Sequence, residues 1–431
     1  MIRLTQYEQD MLDGKQGKFK QKAMEFIVRY ASVIGAEELC EISRATLFVG
    51  AQHYLYCYSD GTDYQKIFSE FYLCSDEPLE LGKISDSCEA QTCEGACDLF
   101  GFEKTHVTRA QFEKNALFLE ETLKMGISIV DSCSPYYLGW IPLMGESFVS
   151  TESSNVLMSN SVFGARGNSD GVEAAVCAAI TGRTPKWGLH IKENRSATCL
   201  MHVDFAVESL LEWDVLGFTL GRLLPKGEKP VLSGPLRRPD IHKLRQLFSS
   251  LAVTGAAEIC HIAGLTPEAQ TLDMALGNKP PKYEIVVSRD EYEKSYAMLC
   301  DEGEGPVDLV SIGCPHLSLG EIKHIAEYIA GKKINNSTEL QIWAGYPTKK
   351  MATVNGFTKT IEESGAYLLT GSCPVLMQKE SHKHVKAMVM NGAKQAWSIR
   401  HQTRVPVYFG DFFQCIDAAV SGRWTPPPRD T

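Results

Sequence analysis

The sequence predicts an α/β fold, with mostly parallel sheets built from βαβ units, and three observations lead there. From Tyr283 onward, short apolar runs alternate with helical patterns: YEIVV, DLVSIG, EIKHIAEYIA, LQIWAG, GFTKTIEESG and YLLTGS. A parallel sheet with crossover helices requires that alternation. At 431 residues the chain is long enough for two or three domains with sizeable cores. Glycine- and serine-rich turns follow several of the apolar runs, at the strand ends where such sheets place their ligand-binding loops.

The elements follow in order. Between Gln21 and Ile42, residues Ala23, Phe26, Ile27, Tyr30, Val33 and Ile34 recur at helical spacing, and Gly35 marks the end of that helix or a kink in it. The Gly/Pro-rich stretch Leu224–Pro239 is the clearest linker, which divides the chain into 1–238 and 239–431. In DLVSIGCPHLSLGEI, Ser318 and Glu321 form the capping box of a helix that starts just after Cys314. In AEICHIAGLTPEAQ, Thr266 is placed to cap a second helix, with Pro267 at its first position. Free N–H groups at that helix start would hold a carboxylate. An internal echo is also present: MGISIVDSCSPYYL, NSVFGARGNS and AAITGRTP return in the same order as SGAYLLTGSCPVLM, NGAKQAWS and AAVSGRWTP. Two similarly built lobes, each presenting a cysteine at a strand end, would produce it.

Composition narrows the function. The chain is 44% apolar and 22% charged, and no apolar run approaches the roughly 20 residues of a membrane span. Its first residues are polar and carry no export pattern, so a cytoplasmic location is expected. A net charge of -10 argues against nucleic acid as a partner. Fourteen cysteines in a chain of this kind read as buried thiols together with metal or catalytic groups, not as disulfides. Zinc-finger spacing, the Walker loop, the G-x-S-x-G elbow and H-E-x-x-H are all absent. What remains is a set of cysteines at strand ends: Cys133, Cys314, Cys373 and Cys415. Each is either an inert buried thiol or one ligand of an iron–sulfur cluster. A cluster held by three thiolates keeps one iron open as a Lewis acid, the chemistry a dehydration needs.

The run from Ser132 to Gly171, SCSPYYLGWIPLMGESFVSTESSNVLMSNSVFGARGNSDG, resembles the hallmark segment of aconitase X enzymes. The opening LTQYEQDMLDGKQG and then AAITGRTPKWGLH, VTGAAEICHIAGLTPEA, DLVSIGCPH and CIDAAVSGR continue that resemblance in family order over nearly the whole chain. It implies an aconitase-like, multi-lobed fold without the swivelling small domain, with substrate motifs in 1–238 and cluster cysteines in 239–431. The implied activity is a hydro-lyase carrying a 4Fe-4S or 2Fe-2S cluster. Its ligands would be Cys314, Cys373 and Cys415, with Cys133 as the competing third. The resemblance assigns Glu152, Ser153 and Ser154 to substrate orientation or proton transfer, and Lys394 to stabilising a carbanion-like intermediate. Ser134, Asn160, Ser161, Gly264, Thr266 and His316 would line the substrate side, His316 being either a donor beside the cluster or a satisfied polar group. Arg166 would grip a substrate carboxylate with its guanidinium fork.

Two departures concern the substrate. The family's Pro-Thr-Thr-x-Asn motif is missing from CEGACDLFGFEKTHVTRAQFEKNALFLEE, and Gly392 stands where relatives often carry serine. The resemblance further implies a separate small swivelling subunit that completes the site. Cis-3-hydroxy-L-proline is the expected substrate, with mevalonate 5-phosphate second. A non-catalytic iron–sulfur sensing protein and a zinc enzyme using the same thiols are the competing readings.

Overall fold

The computed structural model describes residues 2–48, 62, 64–237, 239–377 and 384–426. Its architecture rests on three sheets whose strands all run parallel.

The C-terminal sheet has the order Tyr367–Thr370, Glu339–Ala344, Leu309–Ile312, Met388–Met390, Val407–Phe409. Its central strand is buried along its whole length, which is why it reads in the sequence as an unbroken apolar run. Helices Leu319–Ile329 and Phe412–Ser421 bury Ile322, Ile325 and Ile416 against Ile312 and Ile342. Ser318 and Glu321 form the expected capping box.

The N-terminal sheet has the order Glu89–Thr92, Arg44–Leu47, Phe148–Ser150. Parallel bridges Gln91–Ser128 and Ser150–Ser169 extend it by one position on each side, so its order repeats that of the C-terminal sheet. The first long helix spans Lys18–Ile34 and ends at Gly35, one of the two outcomes expected there, because Gly35 adopts a φ of 76° and turns the chain out before Ile42. Residues Leu39–Glu41 then form a strand.

The internal echo proves structural. Helix Val172–Thr181 ends on left-handed Gly182 and passes into strand Arg183–Pro185, paired antiparallel with Leu39–Glu41. Helix Phe412–Ser421 ends on left-handed Gly422 and passes into strand Arg423–Trp424, paired antiparallel with Gly305–Pro306. Even the side-chain lock is repeated: Thr181 Oγ1 donates to the Arg183 carbonyl and accepts its N–H, and Ser421 Oγ does the same at Arg423.

Between these lobes lies a sheet of order His261–Ile262, Pro230–Ser233, Cys199–Val203, Tyr283–Val287. It overturns the expected boundary at 238, since strands from both sides of that position pair with each other. The Gly/Pro-rich stretch read as a linker contains one of its strands, Pro230–Ser233. The YEIVV run is an edge strand of this sheet and does not join the C-terminal one. Helices Leu210–Leu223 and Ile241–Gly255 cross closely over it. A Cβ at Gly217 would lie 2.2 Å from the Leu247 carbonyl oxygen, so only glycine allows the approach.

Two stability measurements follow. Gly217→Ala should cost about 1–3 kcal/mol in urea unfolding, the usual penalty of overpacking against a backbone that cannot yield. Asp170 is buried with neither carboxylate oxygen hydrogen-bonded. Burial, and then the charge of Glu258, raise its pKa from 3.8 to about 8. Above pH 3.8 the unfolded chain sheds a proton that the folded chain keeps, so stability should fall as pH rises towards 8. Relative to Asp170→Asn, the slope should reach up to about 1.4 kcal/mol per pH unit, and equal slopes in the two proteins would refute this account.

Candidate active site

Loops at the carboxyl ends of the N- and C-terminal sheets meet around one cavity of about 140 Å³, lined by Phe48, Glu94, Cys133, Glu152, Gly313, Cys314, Pro315, His316, Cys373, Val375, Leu376 and Lys394. Cys133 and Cys373 come from corresponding places in the two lobes, and Cys314 follows the central C-terminal strand.

Two of the three cysteines are braced from outside their own loops. The His316 N–H donates to Cys133 Sγ at 3.2 Å, so a backbone group of the C-terminal lobe grips the N-terminal lobe's cysteine. Gly313 N–H donates to Asn391 Oδ1 at 2.9 Å, and Gln246 Nε2 donates to the Cys314 carbonyl at 3.3 Å. Burial raises all three thiols, Cys373 to about 12, so each keeps its proton at neutral pH.

Facing the thiols is an ion pair across the lobes. Lys394 lies in the first turn of helix Ala393–Gln402, and its Nζ donates to Glu152 Oε1 at 2.6 Å. Glu152 is also the N-cap of helix Ser153–Ser161, with Oε1 accepting from Ser154 N at 3.2 Å and Ser154 Oγ at 2.7 Å. Burial alone would raise Glu152, but the charge and hydrogen bond of Lys394 bring it below its ordinary value. Burial alone would likewise lower Lys394, and Glu152 and Glu94 hold it well above normal. Glu94 is left as the second carboxylate of the cavity, and burial followed by the charge of Glu152 raises it to about 8. His316 is driven to about 4 by burial. It is therefore neutral, with Nε2–H donating to the Ser372 carbonyl at 2.9 Å and a buried Nδ1 that has no partner.

The cavity thus unites Glu152, Lys394, His316, Cys314 and Cys373 of the residues singled out in the sequence, with Cys133 and not Cys415 as the third thiol. Cys415 lies inside helix Phe412–Ser421, packed into the C-terminal core, with Sγ donating to the Gly410 carbonyl at 3.6 Å. Ser154 and Ser153 follow at the capped helix start, the first bound to Glu152 and the second half-buried. Ser134 is buried directly after Cys133, its N–H donating to Ser132 Oγ.

Others lie elsewhere. Asn160 uses its whole amide as a brace, donating to the Gly167 and Glu258 carbonyls and accepting from Gly167 N and Arg195 Nη1. Ser161 Oγ accepts from Cys260 N. Thr266 caps no helix: Gly264 and Thr266 belong to a turn in which Thr266 Oγ1 accepts from Ile262 N, and the next helix is the short Leu272–Ala275. Arg166 lines a different cleft, with Arg3, Lys186 and His190. None of these five touches the thiol cavity.

Sequence reasoning missed Glu94, Phe48 and Asp214. Glu94 lies just past strand Glu89–Thr92, the same strand-end position that singled out the cysteines. Asp214 lies within helix Leu210–Leu223 and accepts from Ala393 N at 2.8 Å, from Gln246 Nε2 at 3.1 Å and from Ser250 Oγ. A lone carboxylate within the buried stretch from Trp213 to Gly221 was its signal.

Removing one side of the ion pair leaves the other charge desolvated. Lys394→Met should therefore cost about 3 kcal/mol in urea unfolding, and adding Glu152→Gln should recover part of it. Additive losses in that double-mutant cycle would show that the pair carries no coupling.

The family models described as Aconitase X first, second and third domain match residues 1–193, 197–297 and 307–421, one for each sheet. The chain is 29% identical over 425 residues to the phosphomevalonate dehydratase large subunit of Methanocaldococcus jannaschii, covering 97% of this chain and 100% of that one. It is 29% identical over 424 residues to the cis-3-hydroxy-L-proline dehydratase of Pseudomonas aeruginosa, covering 98% and 70% respectively. The crystal structure of Thermococcus kodakaraensis aconitase X in its holo-form matches with a TM-score of 0.81 at 28% identity, over 97% of this chain and 100% of that one. The chain belongs to the aconitase X family of dehydratases.

Proposed function

We infer that the chain is the large subunit of an iron–sulfur hydro-lyase acting on a small hydroxy acid, with cis-3-hydroxy-L-proline as substrate. The observation that carries this reading is the convergence of three thiols from two lobes on one cavity that also holds Lys394, Glu152 and Glu94.

The donor set fits a cluster. The sulfurs of Cys133, Cys314 and Cys373 do not all lie within 4.8 Å of one another. A single tetrahedral zinc ion would draw them to about 3.8 Å for Zn–S bonds of ~2.3 Å. The wider spacing favours a multi-iron group over the zinc reading. When bound by these three cysteines, such a group supplies an iron with an open position, a Lewis acid for the departing hydroxyl.

The chain's own residues do the rest. Lys394, at a helix N-terminus, holds positive charge against the substrate carboxylate and the charge that develops next to it. Glu152 has Oε1 occupied by three donors and serves to fix that ammonium. Glu94 is the group for proton transfer, its carboxyl tuned close to neutral pH. Phe48, Val375 and Leu376 keep water from the site. Among the described lining residues, Lys394 is the one ammonium or guanidinium, and it is already paired. A phosphate dianion would have only that one shared ammonium, which suits the single carboxylate of hydroxyproline better.

The relative covered over its whole length is named a large subunit, and the hydroxyproline dehydratase extends beyond the matched region. Both support a small partner that completes the site. The test is anaerobic iron reconstitution followed by a dehydration assay with that partner. Cys133→Ala, Cys314→Ala and Cys373→Ala should each lose bound iron while Cys415→Ala retains it. Dehydration of cis-3-hydroxy-L-proline should exceed that of mevalonate 5-phosphate. The reverse preference would overturn the substrate, and a loaded complex inert towards both would favour a sensing role.

A further inference from the structure

We propose that His106, Glu339 and His384 form a binding site for a divalent transition-metal ion, apart from the cysteine cavity, that ties the N-terminal lobe to the C-terminal one. Among the described residues they are the one group of three His, Cys, Asp or Glu side chains whose ligand atoms all lie within 4.8 Å of one another. None of them lines the thiol cavity.

The backbone sets all three in place. Glu339 opens strand Glu339–Ala344, and its N–H donates to the Asp308 carbonyl at 2.8 Å. Just beyond His384, the N–H groups of Lys386 and Ala387 both donate to Asp308 Oδ2 at 2.9 Å, so the same aspartate anchors both C-terminal ligand segments. His106 closes the short helix Phe102–Thr105 at a φ of 57°, a left-handed conformation that histidine tolerates better than most residues.

The ligand atoms are spaced for an ion. His106 Nε2 lies 2.7 Å and His384 Nε2 3.8 Å from Glu339 Oε1. Tetrahedral bonds of ~2.0 Å separate their ligand atoms by about 3.3 Å, between those two values, so small side-chain shifts admit the metal. At 3.8 Å His384 is too far for a hydrogen bond to Glu339, yet its ring centroid lies only 4.3 Å from that of His106. Two imidazoles turned towards one carboxylate oxygen, one of them beyond hydrogen-bond reach, are accounted for by a shared ion. Gln341 Nε2 donates to the other oxygen, Glu339 Oε2, at 3.4 Å, the outer contact that orients a ligating carboxylate. Two imidazoles and one carboxylate select zinc, nickel or copper over magnesium or calcium and leave a position for water.

The test is anaerobic titration of the full-length chain with Co²⁺. Nitrogen and oxygen ligands produce weak visible d–d bands, whereas thiolates add intense near-ultraviolet charge transfer. The expected result is saturable d–d absorption without charge transfer, weakened at least about tenfold in His384→Ala and in Glu339→Gln. Zn²⁺ should raise the melting temperature of the wild-type chain and not that of His384→Ala, with cluster loading equal in the two. Charge-transfer bands alone, no cobalt absorption, or an unchanged titration in both variants would overturn the proposal.

Discussion

A charged ammonium in a closed cavity is the constraint around which this molecule is organised. Lys394 sits at the positive end of a helix, where the peptide dipoles oppose a cation, and half out of water. Its position is tolerable only if an anion is delivered to it, and Glu152 is that anion. Because Glu152 caps a helix of the N-terminal lobe and Lys394 starts one in the C-terminal lobe, the pair fixes how the two lobes approach. The thiols beside it inherit a defined geometry from that approach.

The middle domain braces the site without contributing any of the residues that line it. Its Asp214 accepts the first N–H of the Lys394 helix, and Gln246, which donates to Asp214, also donates to the Cys314 carbonyl. One residue earlier, Arg245 makes a two-pronged pair with Glu321 at 2.7 Å and donates to the His316 carbonyl. Two neighbouring side chains of helix Ile241–Gly255 therefore hold both ends of the Cys314–His316 turn. The close crossing made possible by Gly217 brings Asp214 and Gln246 within reach of each other.

The sequence disclosed what depends on local pattern. Strands of the C-terminal sheet, the Ser318 capping box and the repeated lobe all rest on spacing within a few residues, and each appears in the structure. What it hid depends on which faces meet. Cys415 lies in a run that looks like a strand-end motif, yet helical periodicity turns its thiol inward to the core. Asn160 and Arg166 belong to the hallmark segment, but the first is consumed bracing backbone and the second opens onto another cleft. Glu94 went unnoticed because an acidic residue in a loop is unremarkable until folding removes its water. The linker reading failed for a related reason: proline and glycine mark turns, and turns also flank the short strands of a buried sheet.

The repeated helix–glycine–strand unit carries an implication for the symmetry of the site. The two lobes have sheets of like order, and Cys133 and Cys373 follow matching ends of them, so those two sulfurs belong to the repeat. Cys314 does not share in it. The matching central strand, Arg44–Leu47, is followed by Phe48, which takes the place of Gly313 in the other lobe: its N–H donates to Thr151 Oγ1 as that of Gly313 does to Asn391 Oδ1. An aromatic ring thus lines the cavity where the other lobe contributes only a glycine, so two lobes alike in strand order present unlike walls to it.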